Sequence, residues 1–206
     1  MTQSSDPRQQ LLTLLTRQSF KLGDFQLSSG GRSDYYIDCR TTTLHAEGAR
    51  LTGLAILDLL HKHHLDPHAV GGLTLGADPV VSAVSIASAQ RHADAGPIRN
   101  RSRLIHGFLV RKAEKAHGTG RKIEGFAEEN APVLIVDDVC TTGGSTITAI
   151  EAAGAARMRV IGVVCLVERV EAKGRPAVEA AANGAPFLSL FTSDDVRAEH
   201  VKHMPM

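Results

Sequence analysis

Val133-Leu134-Ile135-Val136-Asp137-Asp138-Val139-Cys140-Thr141-Thr142-Gly143-Gly144-Ser145-Thr146 is the stretch that decides how this chain is read. An apolar strand runs into two adjacent carboxylates, then into a turn rich in hydroxyls and glycine that opens a helix. Glycine lets backbone N–H groups approach an anion closely, and a helix N-terminus adds unpaired donors and a favourable dipole. Thr141, Thr142, Ser145 and Thr146 add hydroxyl donors, so a phosphate fits the turn. Asp137 and Asp138 are unsuited to a phosphate because like charges repel. They suit sugar hydroxyls, or a cation beside a phosphorylated sugar.

The competing reading is an ordinary strand-to-helix turn with an aspartate cap. The chain supplies its own control: Ser193-Asp194-Asp195-Val196 also follows an apolar run, yet no glycine and threonine cluster comes after it. Capping suffices there, and the combination at 133–146 is far more specific. Other nucleotide motifs fail. No lysine follows Gly143-Gly144, so the phosphate loop of ATPases is absent. Gly118-Thr119-Gly120 begins a dinucleotide-like pattern, but Ile123 stands at the third glycine position and no strand precedes it.

Outward from this stretch, five β-rich runs alternate with helical or loop segments: Ala69–Leu73, Leu104–Val110, Val133–Val136, Val160–Val167 and Phe187–Phe191. Helices are expected at Val80–Arg91, Ser145–Ala153 and Val178–Ala182, and after Ala46, where Leu51, Leu54, Ala55, Ile56, Leu59 and Leu60 share a side. This order predicts an α/β fold with a parallel, Rossmann-like sheet of five strands covered on both faces. Such sheets bind ligands beyond the carboxyl ends of their strands, near a switch in strand order. Ahead of them, Asp6-Pro7 reads as a helix start, with Leu11, Leu12 and Leu15 on one face. Phe25 and Leu27, the turn Ser28-Ser29-Gly30-Gly31, and Tyr35-Tyr36-Ile37 read as a β-hairpin. The whole of residues 1–206 is expected to form one domain, with a small N-terminal unit of about 1–45 and a core of 46–206.

Hydrophobic residues at 43% and charged residues at 22% place the chain among ordinary globular proteins and against disorder. A formal net charge of +1 creates no demand for nucleic acid or an anionic membrane as partner. The charge is unevenly spread, however. Arg99, Arg101, Arg103, Arg111, Lys112, Lys115, Arg121 and Lys122 face a single carboxylate, Glu114, so a local anion or a solvated basic loop is expected there. Cys39, Cys140 and Cys165 are odd in number and lack metal-type spacing, which fits a reducing compartment. Leu11 to Leu15 is too short for a secretory segment, and Val160 to Val167 spans less than half a membrane. A cytoplasmic location is expected.

Val133 to Thr146 resembles the 5-phosphoribosyl-1-pyrophosphate (PRPP) motif of type I phosphoribosyltransferases. The resemblance implies that Asp137 and Asp138 contact ribose hydroxyls, while Thr141, Thr142, Gly143, Gly144 and Ser145 cradle the 5′-phosphate, and that Val139 and Cys140 also belong to the PRPP site. Arg111-Lys112-Ala113-Glu114-Lys115-Ala116-His117-Gly118 is similar to the loop signature of orotate phosphoribosyltransferases. That implies a mobile loop whose Arg111, Lys112, Lys115 and His117 bind PRPP and neutralise the departing pyrophosphate. The hairpin resembles the hood of that family, placing Tyr36 and Ile37 near orotate. Glu168-Arg169-Val170-Glu171 resembles its Asp-Arg-x-Glu segment, implying that Arg169, with Thr141, binds orotate.

The resemblance implies an Mg²⁺-dependent enzyme of pyrimidine biosynthesis that attaches orotate to PRPP, giving orotidine 5′-monophosphate and pyrophosphate. It also implies a homodimer with shared active sites. Lys115, Asp138 and His117 are the catalytic candidates, and the metal is expected to be held through PRPP, without a protein cage. Two departures stand out: Ser28 and Gly76 occupy positions where many relatives carry PRPP-contacting lysines. His61, His63, His64 and His68 invite a metal reading, but their spacing does not put three imidazoles on one helical face. The alternatives are a phosphoribosyltransferase for uracil, xanthine or adenine, and a non-catalytic PRPP-sensing regulator. The Arg111-to-Gly118 signature favours orotate.

Overall fold

Five parallel strands stand where the apolar runs predict them. The computed structural model describes residues 6–26, 32–95, 103–112 and 122–203. Helix α1 (Pro7–Gln18) starts at Asp6, whose carboxylate accepts the Arg8 N–H at 3.0 Å, and proline takes the first helical position. Its Leu11 and Leu15 are fully buried, each contributing roughly 1.5–3 kcal/mol. Strands β1 (Phe20–Gln26) and β2 (Arg32–Ile37) form a separate antiparallel hairpin, with a register break between Leu22 and Phe25. A short helix α2 (Arg40–Thr43) and the long α3 (Ala46–Lys62) lead into the main sheet.

That sheet contains β3 (Ala69–Leu73), β4 (His106–Val110), β5 (Ile123–Gly125), β6 (Pro132–Cys140), β7 (Arg159–Glu168) and β8 (Phe187–Thr192). Its order is β5-β4-β3-β6-β7-β8, and all pairings are parallel except β4 with β5. The five expected parallel strands are therefore joined by a sixth, a three-residue antiparallel edge strand. Helices α4 (Ala77–Asp94), α5 (Gly144–Ala155), α6 (Arg175–Ala181) and α7 (Ser193–Lys202) complete the chain.

Side chains alternate across β6. Leu134 and Val136 join Val70, Val164 and Leu166 under α1, α3 and α4, while Val133 and Ile135 join Val163, Cys165 and Phe187 under α5 and α6. Both faces are thus covered, as a parallel sheet requires. After β3 the chain builds β4 on one side of it, then crosses to place β6 on the other. The switch point lies between β3 and β6, and their carboxyl ends open onto the same space. No helix among the described residues is long and apolar enough to cross a membrane.

Candidate active site

At the end of β6, Asp137 and Asp138 remain within the strand instead of following it, because pairing with β7 continues to Cys140. Asp137 is only 5% exposed. Its carboxylate accepts the Thr146 hydroxyl at 2.6 Å and the Asp138 N–H at 3.0 Å. Asp138 accepts the Val139 N–H at 2.9 Å. Burial pushes both carboxyls above their ordinary range. The Thr146 hydroxyl and the neighbouring N–H groups offset part of this, and the charge of Arg40 favours ionised Asp138. Two desolvated carboxylates at a strand end form a site that gains from a polar or cationic ligand.

The turn that follows is built around Gly143, whose φ of 82° lies in the left-handed region. A side chain there would also meet Val178 Cγ2 at 2.5 Å. Helix α5 begins at Gly144, and its first closing bond runs from the Ile147 N–H to the Gly143 carbonyl at 2.8 Å. The N–H groups of Gly144, Ser145 and Thr146 precede that bond, and the first turn carries no acid. This is an anion-accepting helix end.

An open cavity of about 350 Å³ lies over the switch point. It is lined by Tyr36, Ile37, Asp38 and Arg40 from the hairpin side, by Leu73, Thr74, Leu75 and Gly76 after β3, and by Lys112 after β4. Asp137, Asp138, Val139, Thr141, Ser145 and Arg169 close the rest. The structure brings together nine of the anticipated residues: Tyr36, Ile37, Lys112, Asp137, Asp138, Val139, Thr141, Ser145 and Arg169. Lys115 and His117 lie outside the described residues, as does Ser28.

Other anticipated residues stand outside the lining of the cavity. Arg111 pairs with Glu124 at 3.3 Å, because β5 brings that carboxylate alongside β4. The Cys140 side chain is turned into the core, 1% exposed, and burial with nearby Asp137 and Glu168 pushes its thiol up to about 11. Thr142, Gly143 and Gly144 shape the turn without lining the cavity. Thr146 spends its hydroxyl on Asp137 instead of presenting it to a ligand.

Arg169 is the most constrained cation at the site. Its side chain is 10% exposed, and its guanidinium lies 4.6 Å above the Tyr35 ring. Nε donates to the Tyr35 hydroxyl at 2.9 Å and to Glu171 at 3.0 Å, while Nη2 donates to Ser33 at 3.0 Å. Tyr35 in turn donates to Glu171, so the hairpin is tied to the end of β7. Tyr35 is buried at 5% and Tyr36 is 43% exposed, the alternation expected of a strand with one face against the core. Asp38 and Arg40 escaped the sequence reading, which on the turn after β3 had singled out only Gly76. The one available signal was Asp38-Cys39-Arg40, a charged pair directly after a strand.

With this geometry in place, similarity to known proteins is informative. The model of the phosphoribosyl transferase domain matches residues 110–181, from the end of β4 through α6. Orotate phosphoribosyltransferase of Streptomyces avermitilis is 42% identical over 191 residues, covering 93% of this chain and 97% of that protein. The enzyme of Thermosynechococcus vestitus is 42% identical over 198 residues, covering 94% and 95%. Among solved structures, Mycobacterium tuberculosis orotate phosphoribosyltransferase in complex with Fe(III) dicitrate superposes with a TM-score of 0.75 at 37% identity, over 92% of this chain and 98% of that one. The same enzyme in complex with PRPP gives 0.71 at 33% identity, over 93% and 99%. With such identity across nearly the full length of both partners, and the same α/β fold in solved relatives, the chain belongs to the orotate phosphoribosyltransferase family.

Proposed function

We propose that this chain transfers ribose 5-phosphate from PRPP to orotate, forming orotidine 5′-monophosphate and pyrophosphate in pyrimidine biosynthesis. The observation that carries the reading is a single cavity lined by a strand-end carboxylate pair, residues of a phosphate-type turn, and an arginine fixed beside the hairpin. A relative in complex with PRPP supports the donor. The α5 N-terminus with Thr141 and Ser145 suits the 5′-phosphate, and Asp137 and Asp138 suit the ribose hydroxyls. Arg169, Tyr36 and Ile37 stand where the base would lie. The orotate ring nitrogen forms the bond to C1′ as the C1′–oxygen bond to pyrophosphate breaks. The leaving group takes that electron pair, and the proton on the ring nitrogen is released to the departing diphosphate or to water. Positioning, charge neutralisation and exclusion of water are the protein's contributions.

Mg²⁺ fits this donor set. Asp138 offers a carboxylate oxygen of the kind hard cations prefer, and the remaining ligands would be oxygens of PRPP. When bound, the ion would neutralise diphosphate charge. Lys112 borders the cavity on the side where the basic segment leaves β4, so Lys115 and His117 are assigned to the same leaving group. The hairpin acts as a hood on a single domain, and the enzyme works in the cytoplasm. It is a homodimer whose basic loop serves the neighbouring subunit. Mixed dimers of Lys115→Ala and Asp138→Asn would then regain activity, whereas a loop serving its own subunit gives none.

The direct test is incubation with orotate, PRPP and Mg²⁺ while following loss of orotate absorbance. No loss with orotate, but turnover of uracil or adenine, would overturn the assignment. Arg169→Ala should raise the KM for orotate at least about tenfold while changing that for PRPP much less, since a guanidinium grips a carboxylate through charge-assisted bonds. Equal losses for both would reduce Arg169 to a structural role.

A further inference from the structure

The cavity has an unusual charge arrangement at Asp138, and it rests on a residue outside the recognised motifs. An ideal Cβ at Gly76 would stand 2.5 Å from Asp138 Oδ1 and 2.9 Å from its Cγ. The carboxylate therefore packs directly on the backbone of the 74–76 turn, and no side chain at 76 supplies a cation there. Arg169 is tied through Nε and Nη2 to Ser33, Tyr35 and Glu171, and its remaining edge is assigned to orotate. Arg40, which follows the hairpin, is held differently. Its Nε and Nη2 each donate to Asp38 at 2.8 Å, and Asp38 Oδ1 also accepts the Arg40 N–H at 3.1 Å.

That grip uses one edge of the guanidinium and fixes its plane. The other edge, formed by Nη1 and the second N–H of Nη2, has no partner among the described residues, and the side chain is 49% exposed on the cavity wall. Arg40 is the cation whose charge reaches Asp138. A planar fork pinned by one carboxylate matches the spacing of two phosphate oxygens, which a freely rotating ammonium does not reproduce. Its place also fits the donor molecule. With the 5′-phosphate at the α5 N-terminus and the ribose over the acid pair, the group on C1′ lies beside Asp138, which the charge of Arg40 reaches and against which the Gly76 backbone packs.

We propose that Arg40, oriented by Asp38, binds the diphosphate of PRPP through its open Nη1–Nη2 edge, at a place where the turn at Gly76 provides no cation. The inference rests on the reading of this cavity as a PRPP site. It makes Arg40 a binding residue and Asp38 a positioning residue. Because Asp38 cancels much of the long-range field of Arg40, the directional fork matters more than its bare charge.

The test measures binding of PRPP and of ribose 5-phosphate, each with Mg²⁺, by calorimetry on wild type, Arg40→Ala, Arg40→Lys and Asp38→Asn. Arg40→Ala should weaken PRPP at least about tenfold and leave ribose 5-phosphate within about twofold, because only PRPP carries the diphosphate. Arg40→Lys keeps the charge and loses the fork, so it should recover only a small part of the loss. Asp38→Asn should fall between wild type and Arg40→Ala. In steady state the KM for PRPP should rise while that for orotate stays put. Equal weakening of both ligands, no weakening, or a rise confined to orotate would each overturn the role. Should Arg40→Ala fail to fold, Arg40→Lys carries the same prediction, and full PRPP affinity in it would refute the fork. Wild type that binds PRPP without consuming orotate would fault the assigned base and leave the Arg40 test standing.

Discussion

Asp137-Asp138 and Asp194-Asp195 are the same dipeptide beside an apolar strand, and the fold uses them in different ways. The first pair ends β6, next to the sheet's switch point, where β7 pairing holds both residues in extended backbone and buries the first. The second pair falls beyond β8, the last strand in the sheet, inside the opening turn of α7. There Thr192 accepts the Asp195 N–H at 3.1 Å, and Asp195 accepts the Thr192 N–H at 2.8 Å, a reciprocal capping box. Exposed acids in a first helical turn satisfy backbone donors and favour the helix dipole. Buried acids at a central strand end are held against their own desolvation. Whether strand or helix owns the pair, and how central that strand is, separates acids that cap a helix from acids held at the cavity.

The largest test of this contrast is turnover. Asp138→Asn should lower kcat at least about a hundredfold, on the scale seen when a charge aimed at a reacting centre is removed. Its circular dichroism should stay native-like and its melting no lower than that of wild type, and Asp194→Asn should leave kcat unchanged. Comparable rates for the two variants would erase the distinction.

Next in size is the turn that only the first pair possesses. Gly143→Ala forces a Cβ onto a left-handed residue and against Val178, which should cost about 1–3 kcal/mol of stability. PRPP affinity should fall with it, as binding measurements would register. An unaffected affinity would detach the turn from the phosphate.

A smaller and opposite signature belongs to the second pair. Asp195→Ala should cost about 1 kcal/mol, lowering Tm by roughly 2–4 °C, through loss of the capping box. Kinetic constants should not move; a change in kcat would mean that α7 reaches the site after all.

The most subtle difference is in pH. Burial raises the folded-state carboxyls of Asp137 and Asp138 above their unfolded values. In ligand-free protein their contribution is therefore fully present below about pH 4 and declines as pH rises through the raised folded values. Melting curves of wild type and Asp138→Asn should converge in acid and separate toward neutrality, with the variant the more stable. Parallel curves across that range would show that the carboxylate is not desolvated.

The reach of the sequence followed the range of its signals. Val133–Val136 and Val160–Val167 announce strands because every residue is apolar, and Asp6-Pro7 announces a helix because a cap is a local event. The 133–146 turn was legible for the same reason: its glycines and hydroxyls act within a few residues of one another. Ile123–Gly125 gave no such sign. Three residues have too little period to read, and they become a strand only because β4 offers an open edge. Helix α7 was legible only at its cap, since its core-facing residues are Ser193, Val196 and Glu199. Glu199 is tolerated there because Gln9, Thr13, Lys202 and His203 surround its carboxylate.

The sequence by itself determined the five parallel strands, the order in which helices follow them, and the turn after β6. Only the tertiary structure decided that β3 and β6 are neighbours, that Tyr35 faces Arg169 while Tyr36 faces the cavity, and that Asp38 aims Arg40 at the same space. Propensity and capping act over a turn or a strand, so they are written in adjacent residues. Strand order, and the meeting of groups far apart in sequence such as Arg40 and Asp138, depend on crossovers and burial that no local window contains.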